Sequence, residues 1–222
     1  QGEYKAKNLT EAVIAPFKEF LTRDMAFTIL FFVLLFKIGD GIAGSMYATY
    51  YVDLGYENHT IAEVTKGVGF ISTMTGLAVG ASLMYLWGIN RCLLLFGSLQ
   101  ALSTLMFCFL PMLGFGYLPL ASIVAFEDFS SGLGTTAMVA FISSMTDKRF
   151  TATQYALLAS LSALGRTLFA GFAGSIVEWF KMGENIISGY QGLFILCTFI
   201  AIPGLFLAYR IQKHASELKQ HH

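Results

Sequence analysis

The sequence predicts an all-α integral membrane protein, a bundle of six transmembrane helices. Apolar residues make up 55% of the 222 residues and charged residues only 13%, far below the roughly 25% charged content of soluble domains. Apolar stretches recur along the chain, and each reaches or exceeds the ~20 residues that a helix needs to cross a ~30 Å hydrocarbon core. Basic residues are concentrated in alternate connections, as in multi-pass membrane proteins.

The predicted spans follow one another with short connections, and together they occupy residues 25–210. They run from Met25 to Val52, Ala62 to Trp87, Cys92 to Leu113, Tyr117 to Met145, Thr153 to Phe180, and Gln191 to Tyr209. Short segments such as Leu93 to Phe96 could be buried strands of a soluble protein. Strands extend only ~4 to 8 residues, however, and these apolar stretches are much longer, which favours helices.

Lysine and arginine set the predicted orientation, because short cytoplasmic loops carry an excess of them. They occur before the first span, after the second at Arg91, after the fourth at Lys148 and Arg149, and after the sixth. The other three connections contain one basic residue in total, Lys181. Both ends of the chain are therefore predicted to be cytoplasmic.

The segments outside the bundle are predicted to be cytoplasmic as well. Residues 1–24 are expected to form a loop that ends in an interfacial helix, because Pro16 suits the first turn of a helix and apolar residues share one face; a solvated linker is the alternative. That face comprises Phe17, Phe20 and Leu21, opposite Lys18, Glu19 and Arg23. Residues 211–222 are expected to form a tail, whose His221 and His222 are either native or the remnant of a purification tag.

Charged residues at the middle of otherwise apolar spans are the best indication of function. They are Lys37 and Asp40 in the first span, Glu127 and Asp128 in the fourth, and Arg166 in the fifth. A charge at this depth costs at least ~2.5 to 3.5 kcal/mol on insertion scales, so such residues face a partner or a watery path. Each lies about 10 to 15 residues, or ~15 to 22 Å, from the nearer end of its span, which predicts one layer near the midplane.

Spacing along the helices predicts how these charges pair. Lys37 and Asp40 are three residues apart and therefore share a helix face, where a structural ion pair is the alternative to a functional role. Glu127 and Asp128 are adjacent and point ~100° apart, so they cannot both address the same partner. Two cations stand against three carboxyl groups, which leaves one carboxyl over.

Burial favours the neutral form of an unpaired carboxyl, and a carboxyl that gains and loses a proton suits a proton carrier. Asp40, Glu127 and Asp128 are therefore the candidates for proton coupling; the alternative is a carboxyl that stays neutral or faces water near the rim. The third and sixth spans contain no charged residue and are predicted to be lipid-facing walls. The six spans thus form two groups of three, each of which ends in a span without charged residues. This arrangement is typical of transporters built from repeats.

Small and aromatic residues add further expectations. The segment from Ser130 to Thr136 weakens the fourth helix beyond its acidic pair, and small residues there permit a bend or close helix approach. Glycines 76, 80, 171 and 174 are interpreted as packing seams rather than gates. Tyr47 lies two helical turns from Asp40 and could stack against a sugar ring, although an aromatic belt at the membrane interface is the simpler interpretation.

Enzyme, metal and nucleic-acid functions are disfavoured. The three cysteines lie in apolar runs without metal or redox spacing, and His59 and His214 are far in sequence from the midplane carboxyls. No catalytic residue, metal or cofactor is therefore predicted. The formal net charge of zero argues against a nucleic-acid partner.

Several strings resemble the C-terminal half of the AmpG muropeptide permeases, a family of the major facilitator superfamily. They are Phe36-Lys37-Ile38-Gly39-Asp40, Phe126-Glu127 with Gly132-Leu133-Gly134-Thr135, Ala152-Thr153-Gln154-Tyr155, and Leu161-Ser162-Ala163-Leu164-Gly165-Arg166. The resemblance implies helices seven to twelve of that fold, with residues 1–24 as the loop between two six-helix bundles. The superfamily's usual loop motif between the second and third spans is incomplete here, because the segment from Gly80 to Arg91 lacks its aspartate.

The resemblance also implies a function, a proton-driven importer of anhydromuropeptides in the bacterial inner membrane. Lys37, Gln154, Arg166 and Tyr47 would then contact substrate, and an N-terminal six-helix bundle would be the partner. Transporters of acetyl-CoA, another anionic solute, share the broad fold and remain the alternative. The chain begins at Gln1 rather than methionine, which is expected of a piece of a longer protein; a complete protein that pairs as a dimer is the competing interpretation.

Overall fold

The computed structural model describes residues 14, 16, 18–22, 25–146, 151–183 and 185–220, and most of them are helical. The helices form successive segments that we call the first to sixth spans. Their bounds are Ala26–Phe36 with Ile38–Asp53, Asn58–Glu63 with Gly69–Trp87, Ile89–Met106, Tyr117–Met145, Thr151–Ala170 with Ala173–Phe180, and Ile186–Gln220. A π-helical turn, Val64–Val68, joins the two parts of the second span, and a 3₁₀ turn, Phe107–Met112, extends the third.

Length and composition support membrane crossing for most of these spans. Four of them, the first, second, third and sixth, are long and apolar enough within the described residues to cross a membrane. The fifth is bent by 42° and becomes a further candidate when its two helices are taken together. The fourth span has 29 residues but is not among the candidates, because Glu127, Asp128 and the small polar residues after them lower its mean hydropathy. The predicted six helical segments are thus present, although composition supports at most five as spans.

Two spans are interrupted near their charged residues. The first breaks at Lys37, where φ is −107° and ψ is 0°, and the fifth breaks just after Ala170. Irregular backbone at membrane depth is tolerated only where protein or a water-filled cavity surrounds it. Both breaks therefore indicate that these parts of the first and fifth spans line a protected or wet region rather than lipid.

Two apolar clusters make up the core. One contains Tyr50, Phe107 and Phe194, and the other contains Phe32 and Phe141. Lys37 lies between Phe36 of one cluster and Ile38 of the other, and Glu127, Asp128 and Arg166 also lie between residues of the two clusters along their spans. That the charges share one layer near the midplane stays a prediction.

Glycines let the second and fourth spans pack closely. A Cβ added at Gly76 would collide with the backbone carbonyl of Phe129, and one added at Gly132 would lie 2.6 Å from the carbonyl oxygen of Thr73. Such distances are far below ordinary contact, so only glycine fits. The prediction of a packing seam is confirmed for this pair of spans. It is wrong for Gly174, where an added Cβ would meet no atom within 4 Å.

The third and sixth spans have apolar outer faces, as predicted for lipid-facing walls. Exposed side chains on these faces include Leu95, Leu102 and Phe109 in the third span and Phe199 and Phe206 in the sixth. The third span also has a polar inner face, however. That face, made by buried Gln100, Ser103 and Thr104, was missed by an interpretation that counted only charged residues.

The described residues that precede the first span are largely helical, and their position at a membrane interface stays a prediction. Phe20 is buried in the cluster that contains Phe32, and Pro16 is also buried. At the other end, the helix of the sixth span continues to Gln220. Several positions in the predictions lie outside the described residues: 1–13, 17, 23, 148, 149, 221 and 222.

Candidate functional site

The midplane charges surround one cleft between the first, fourth and fifth spans. Its larger part is a cavity of about 460 Å³ lined by Asp40, Tyr47, Glu127, Asp128 and Arg166, together with small residues. A second cavity of about 250 Å³ shares Asp40 and Arg166 and adds Lys37, Thr135, Tyr155 and Ser162. Seven side chains were predicted to take part in substrate binding or proton coupling. The structure brings six of them together in this cleft, all except Gln154.

Lys37 and Asp40 form an ion pair inside this cleft. The Lys37 Nζ donates to Asp40 Oδ2 at 3.1 Å, and the two side chains are 11% and 14% exposed. The pairing matches the shared helix face predicted from their spacing. Because the charge of Lys37 is offset by Asp40, Lys37 is not a free counter-charge for Glu127 or Asp128.

Replacing one residue of this ion pair should destabilise the protein more than replacing both. We expect Asp40→Asn to cost up to about 3–5 kcal/mol, because it leaves the ammonium of Lys37 in a protected place without its partner. The double variant Lys37→Met/Asp40→Asn should recover much of that loss. Thermal unfolding of the purified protein measures both.

The matched control is Lys181→Met, which removes an exposed pair, Lys181 with Glu178, whose side chains are 30% and 66% exposed. Exposed pairs contribute only ~0–1 kcal/mol, so this change should be nearly neutral. Equal destabilisation by Asp40→Asn and by the double variant would contradict the idea that an uncompensated charge causes the loss.

Glu127 is a buried carboxyl of the cleft that has no ion pair among the described residues. It is 4% exposed, and among the described residues no lysine or arginine lies within salt-bridge distance of it. Instead, two hydroxyls hold its two oxygens. Tyr47 Oη donates to Oε1 at 3.0 Å, and Ser103 Oγ donates to Oε2 at 2.5 Å.

Asp128 points to a different neighbour, as its position next to Glu127 in the helix predicts. Its Oδ2 lies against Gly69 of the second span, where an added Cβ would collide with it. The side chain is half-buried and lines the larger cavity. The sequence predicted an excess of carboxyl groups over cations. Two carboxyl groups account for this excess: Glu127, which is buried, and Asp128, which contacts the cavity.

Arg166 is a cation of the cleft without an acidic partner among the residues that the structure describes. It is exposed to the cavity, and its aliphatic stem passes so close to Gly41 that a Cβ there would collide with it. Within the described part of the chain, no acidic group lies within 4.0 Å of its guanidinium. A guanidinium that is positioned by its stem but lacks a protein partner can bind a carboxylate or phosphate with two parallel hydrogen bonds.

Tyr47 and Gln154, the uncharged candidates, are placed differently. The Tyr47 ring stacks on Phe107 with 4.3 Å between ring centroids, and its hydroxyl is bonded to Glu127. Gln154 lies outside the cleft, where it is 1% exposed and donates to the backbone oxygen of Pro16 at 3.1 Å and to Glu19 Oε2 at 2.6 Å. Its contacts therefore join the fifth span to the segment before the first.

The third span supplies the functional-site residues that sequence reasoning missed. Ser103 reaches Glu127, and Thr104 donates to the backbone oxygen of Gln100 at 3.1 Å. The Gln100 Nε2 is buried without a hydrogen-bond partner among the described residues. The signal was present in the sequence, because polar residues at positions i, i+3 and i+4 of an apolar helix share one face. Among the described residues, no cluster of histidine, cysteine and acidic side chains could hold a metal ion.

Comparison with known proteins places the chain among transporters. No protein-family model matches it. It is 35% identical over 202 residues to "Putative transporter AmpG 4" of Rickettsia felis, which covers 91% of this chain and 47% of that protein. It is 33% identical over 202 residues to "Anhydromuropeptide permease" of Escherichia coli K12, which covers 90% of this chain and 40% of that protein.

A further relative is "Putative transporter AmpG 1" of Rickettsia prowazekii, which is 33% identical over 184 residues, or 83% of this chain and 40% of that protein. The chain thus spans about half the length of the curated relatives it matches. These relatives are named as transporters or permeases, which agrees with the prediction that the chain is not an enzyme. A multi-pass membrane fold and this consistent similarity show that the chain belongs to the AmpG transporter family.

Proposed function

We propose that this chain forms the C-terminal half of a proton-coupled transporter that imports anhydromuropeptides from the periplasm to the cytoplasm. The observation that carries the proposal is the cleft itself. Among the described residues, its cation Arg166 has no acidic partner, and two carboxyl groups that line the same cavity, Glu127 and Asp128, have no cationic partner. The guanidinium of Arg166 is suited to bind an anionic solute, and the carboxyl groups are suited to bind a proton.

The substrate side of the proposal rests on Arg166. A cavity of about 460 Å³ lies within the ~300–1,000 Å³ range of sites for small molecules. Muropeptides carry carboxylates, and the planar guanidinium matches a carboxylate with two hydrogen bonds. Lys37 adds a second cation at the cleft, and its ammonium has three donors, of which Asp40 accepts one.

The proton side rests on the two hydroxyls around Glu127. A carboxyl held by hydroxyls rather than by a cation can exist as an acid or as a carboxylate without leaving a fixed charge unpaired. Asp40 differs, because its protonation would leave Lys37 without a counter-charge. Asp40 and Asp128 remain candidates for relaying the proton, since both line the same cavity.

The partner is proposed to be a second six-helix bundle that closes the cleft. Apolar side chains are exposed on the spans beside it, with Phe70 and Met74 on the second span and Leu164, Leu168 and Phe172 on the fifth. The curated relatives are about twice as long as this chain, which provides a second bundle of the required size. We place the assembly in the bacterial inner membrane, with both ends of this segment in the cytoplasm, because of the basic connections described above.

A second candidate substrate is acetyl-CoA or another anionic solute, because Arg166 binds phosphate as readily as carboxylate. The full-length protein that contains this sequence can be reconstituted in proteoliposomes and offered labelled anhydromuropeptide or labelled acetyl-CoA under an imposed proton gradient. We expect accumulation of the muropeptide. Accumulation of acetyl-CoA alone would favour the alternative, and accumulation of neither would contradict the proposed cargo.

Arg166→Lys tests the role of the guanidinium in the same assay. The change keeps the charge but removes the fork, so we expect the substrate concentration at half-maximal uptake to rise at least about tenfold, the equivalent of one lost charge-assisted hydrogen bond. Lys37→Arg should have a smaller effect, because that side chain is held by Asp40. The control is Arg210→Lys, since Arg210 lies over the ring of Phe206 at 5.9 Å, away from the cleft. Unchanged uptake by Arg166→Lys would remove the argument for bidentate binding.

A further inference from the structure

Ser103 stands between two acceptors and can donate to only one of them at a time. Its Oγ lies 2.5 Å from Glu127 Oε2 and 2.9 Å from the backbone oxygen of Gln100. A serine hydroxyl carries one hydrogen and two acceptor lone pairs. The geometry therefore allows two hydrogen-bond arrangements, which differ in where that single hydrogen points.

The two arrangements correspond to the two protonation states of Glu127. When Glu127 is ionised, Ser103 donates to its Oε2 and Tyr47 donates to its Oε1. When Glu127 is protonated, its own O–H donates to Ser103 Oγ, and the Ser103 hydrogen turns to the backbone oxygen of Gln100. No heavy atom has to move, and every donor and acceptor of the carboxyl stays paired in both states.

The backbone oxygen of Gln100 tolerates either state because it has another donor. Thr104 Oγ1 donates to it at 3.1 Å, so it remains bonded when Ser103 turns away. Ser103 and Thr104 are 1% and 3% exposed, and at such burial an unpaired polar group would cost about 1–3 kcal/mol. Hydroxyls at adjacent positions of the third span thus remove the penalty that would otherwise fix Glu127 in one protonation state.

A glycine of the fourth span lies beside the polar face of the third span. Gly134 lies two helical turns from Glu127, on the same face, and packs against the Gln100 side chain, whose Cδ would lie 3.2 Å from an added Cβ. A larger residue at position 134 would therefore displace the end of the Gln100 side chain, which lies on the same face of the third span as Ser103.

The other charged and titratable groups around Glu127 come from several spans. In the described residues they are Lys37, Asp40, Tyr47 and Tyr51 of the first span, Asp128 of the fourth, Arg166 of the fifth and Cys197 of the sixth. The third span contributes no titratable group to this environment, only hydroxyls. Ser103 is therefore a neutral partner, and its effect on Glu127 is separable from that of any charge.

We propose that Ser103 is a positioning residue for proton transfer, which stabilises Glu127 both as a carboxylate and as a carboxylic acid. This inference rests on the proposed proton-coupled transport. It assigns a role to the third span, which was predicted to face lipid because it contains no charged residue. It also distinguishes Glu127 from Asp40 and Asp128, for which the described contacts include no such hydroxyl.

Ser103→Ala in the full-length protein is the direct test. The ionised state of Glu127 then loses a charge-assisted hydrogen bond, so the proton is held more tightly and released later. We expect the pH of half-maximal proton-driven uptake of labelled anhydromuropeptide to rise by about one unit. Counterflow, which exchanges solute without net proton release, should change little. Ser103→Thr keeps a hydroxyl and should retain the original pH profile.

The matched control is Ser98→Ala, which removes an exposed hydroxyl from the same span and should leave the profile unchanged. Infrared difference spectra of the purified protein provide a second measurement, because the stretch of a protonated carboxyl is visible and Glu127→Gln identifies its band. In Ser103→Ala, this band should persist to higher pH than in the wild type. If that variant does not fold, Ser103→Cys, which is close in size and a weaker donor, should show a smaller shift in the same direction.

Unchanged pH profiles and unchanged infrared titration in folded Ser103 variants would overturn the inference while leaving proton-coupled transport intact. If uptake by the wild type did not depend on the proton gradient, the proposed function would be contradicted instead. In that case, the infrared titration still tests whether Ser103 controls the proton on Glu127, and an unchanged band would overturn this inference independently.

Discussion

Glu127→Gln is expected to abolish proton-driven accumulation of solute while leaving downhill exchange measurable. The substitution keeps the size of the side chain and its hydrogen bonds to Tyr47 and Ser103 but removes the group that gains and loses a proton. We expect accumulation against a gradient to fall more than about tenfold, which corresponds to ~1.4 kcal/mol of lost coupling. Uptake and counterflow in proteoliposomes of the full-length protein measure the two activities separately.

Matched variants make the result interpretable. Glu178→Gln removes a carboxyl from an exposed pair with Lys181, and it should retain full accumulation. Asp40→Asn and Asp128→Asn test the other two carboxyls of the cleft. Full accumulation by all three cleft variants would show that none of these groups carries the coupled proton. Loss of both accumulation and exchange in Glu127→Gln would indicate a structural role instead.

Gly132→Val is expected to destabilise the contact between the second and fourth spans. The added side chain would meet the backbone carbonyl of Thr73, since even a Cβ at this position lies 2.6 Å from that oxygen. A backbone group cannot turn aside as a side chain can, so the second span must move as a whole. Overpacking of this kind costs about 1–3 kcal/mol or more, and we expect the unfolding midpoint to fall by about 5 °C or more.

The control for this change is Gly174→Val, at a helical position in the fifth span where an added Cβ has open space. Both variants make the same chemical change within a helix, so their difference isolates the contact between the second and fourth spans. Unfolding monitored by size-exclusion chromatography in detergent measures both. If the two variants unfolded at the same temperature, the glycine seam would not be a determinant of stability.

Much of the architecture could be predicted from the sequence because membrane insertion is a local property. Each span must satisfy its own backbone and present apolar side chains to lipid, so length and hydropathy identify it without reference to the other spans. The same logic identified the midplane charges, and the Lys37–Asp40 pair followed from their separation along one helix. The fourth span shows the limit, because its charged and small polar residues lower its hydropathy below that of a candidate span.

The contacts between spans could not be predicted, because they depend on how the helices are rotated and packed. Hydropathy showed the third span as charge-free, but only packing shows that Ser103 faces Glu127. Sequence placed Gln154 among the candidate substrate contacts, whereas the fold directs it to Pro16 and Glu19. Tyr47 lines the same cavity as Asp40, but its bond to Glu127, 80 residues along the chain, could not be read from spacing within one span.

The sequence by itself determined that this is a helical membrane protein with a cationic and acidic layer at mid-depth, because the cost of burying charge in lipid leaves a readable pattern in one dimension. Only the tertiary structure decided which carboxyl is paired and which is not. Lys37 neutralises Asp40 within one helix, so Glu127 depends on hydroxyls from two other spans and Arg166 faces the cavity without an acidic partner among the described residues. Such pairing depends on distances between helices, and those are set by glycine contacts and side-chain packing that no local pattern encodes.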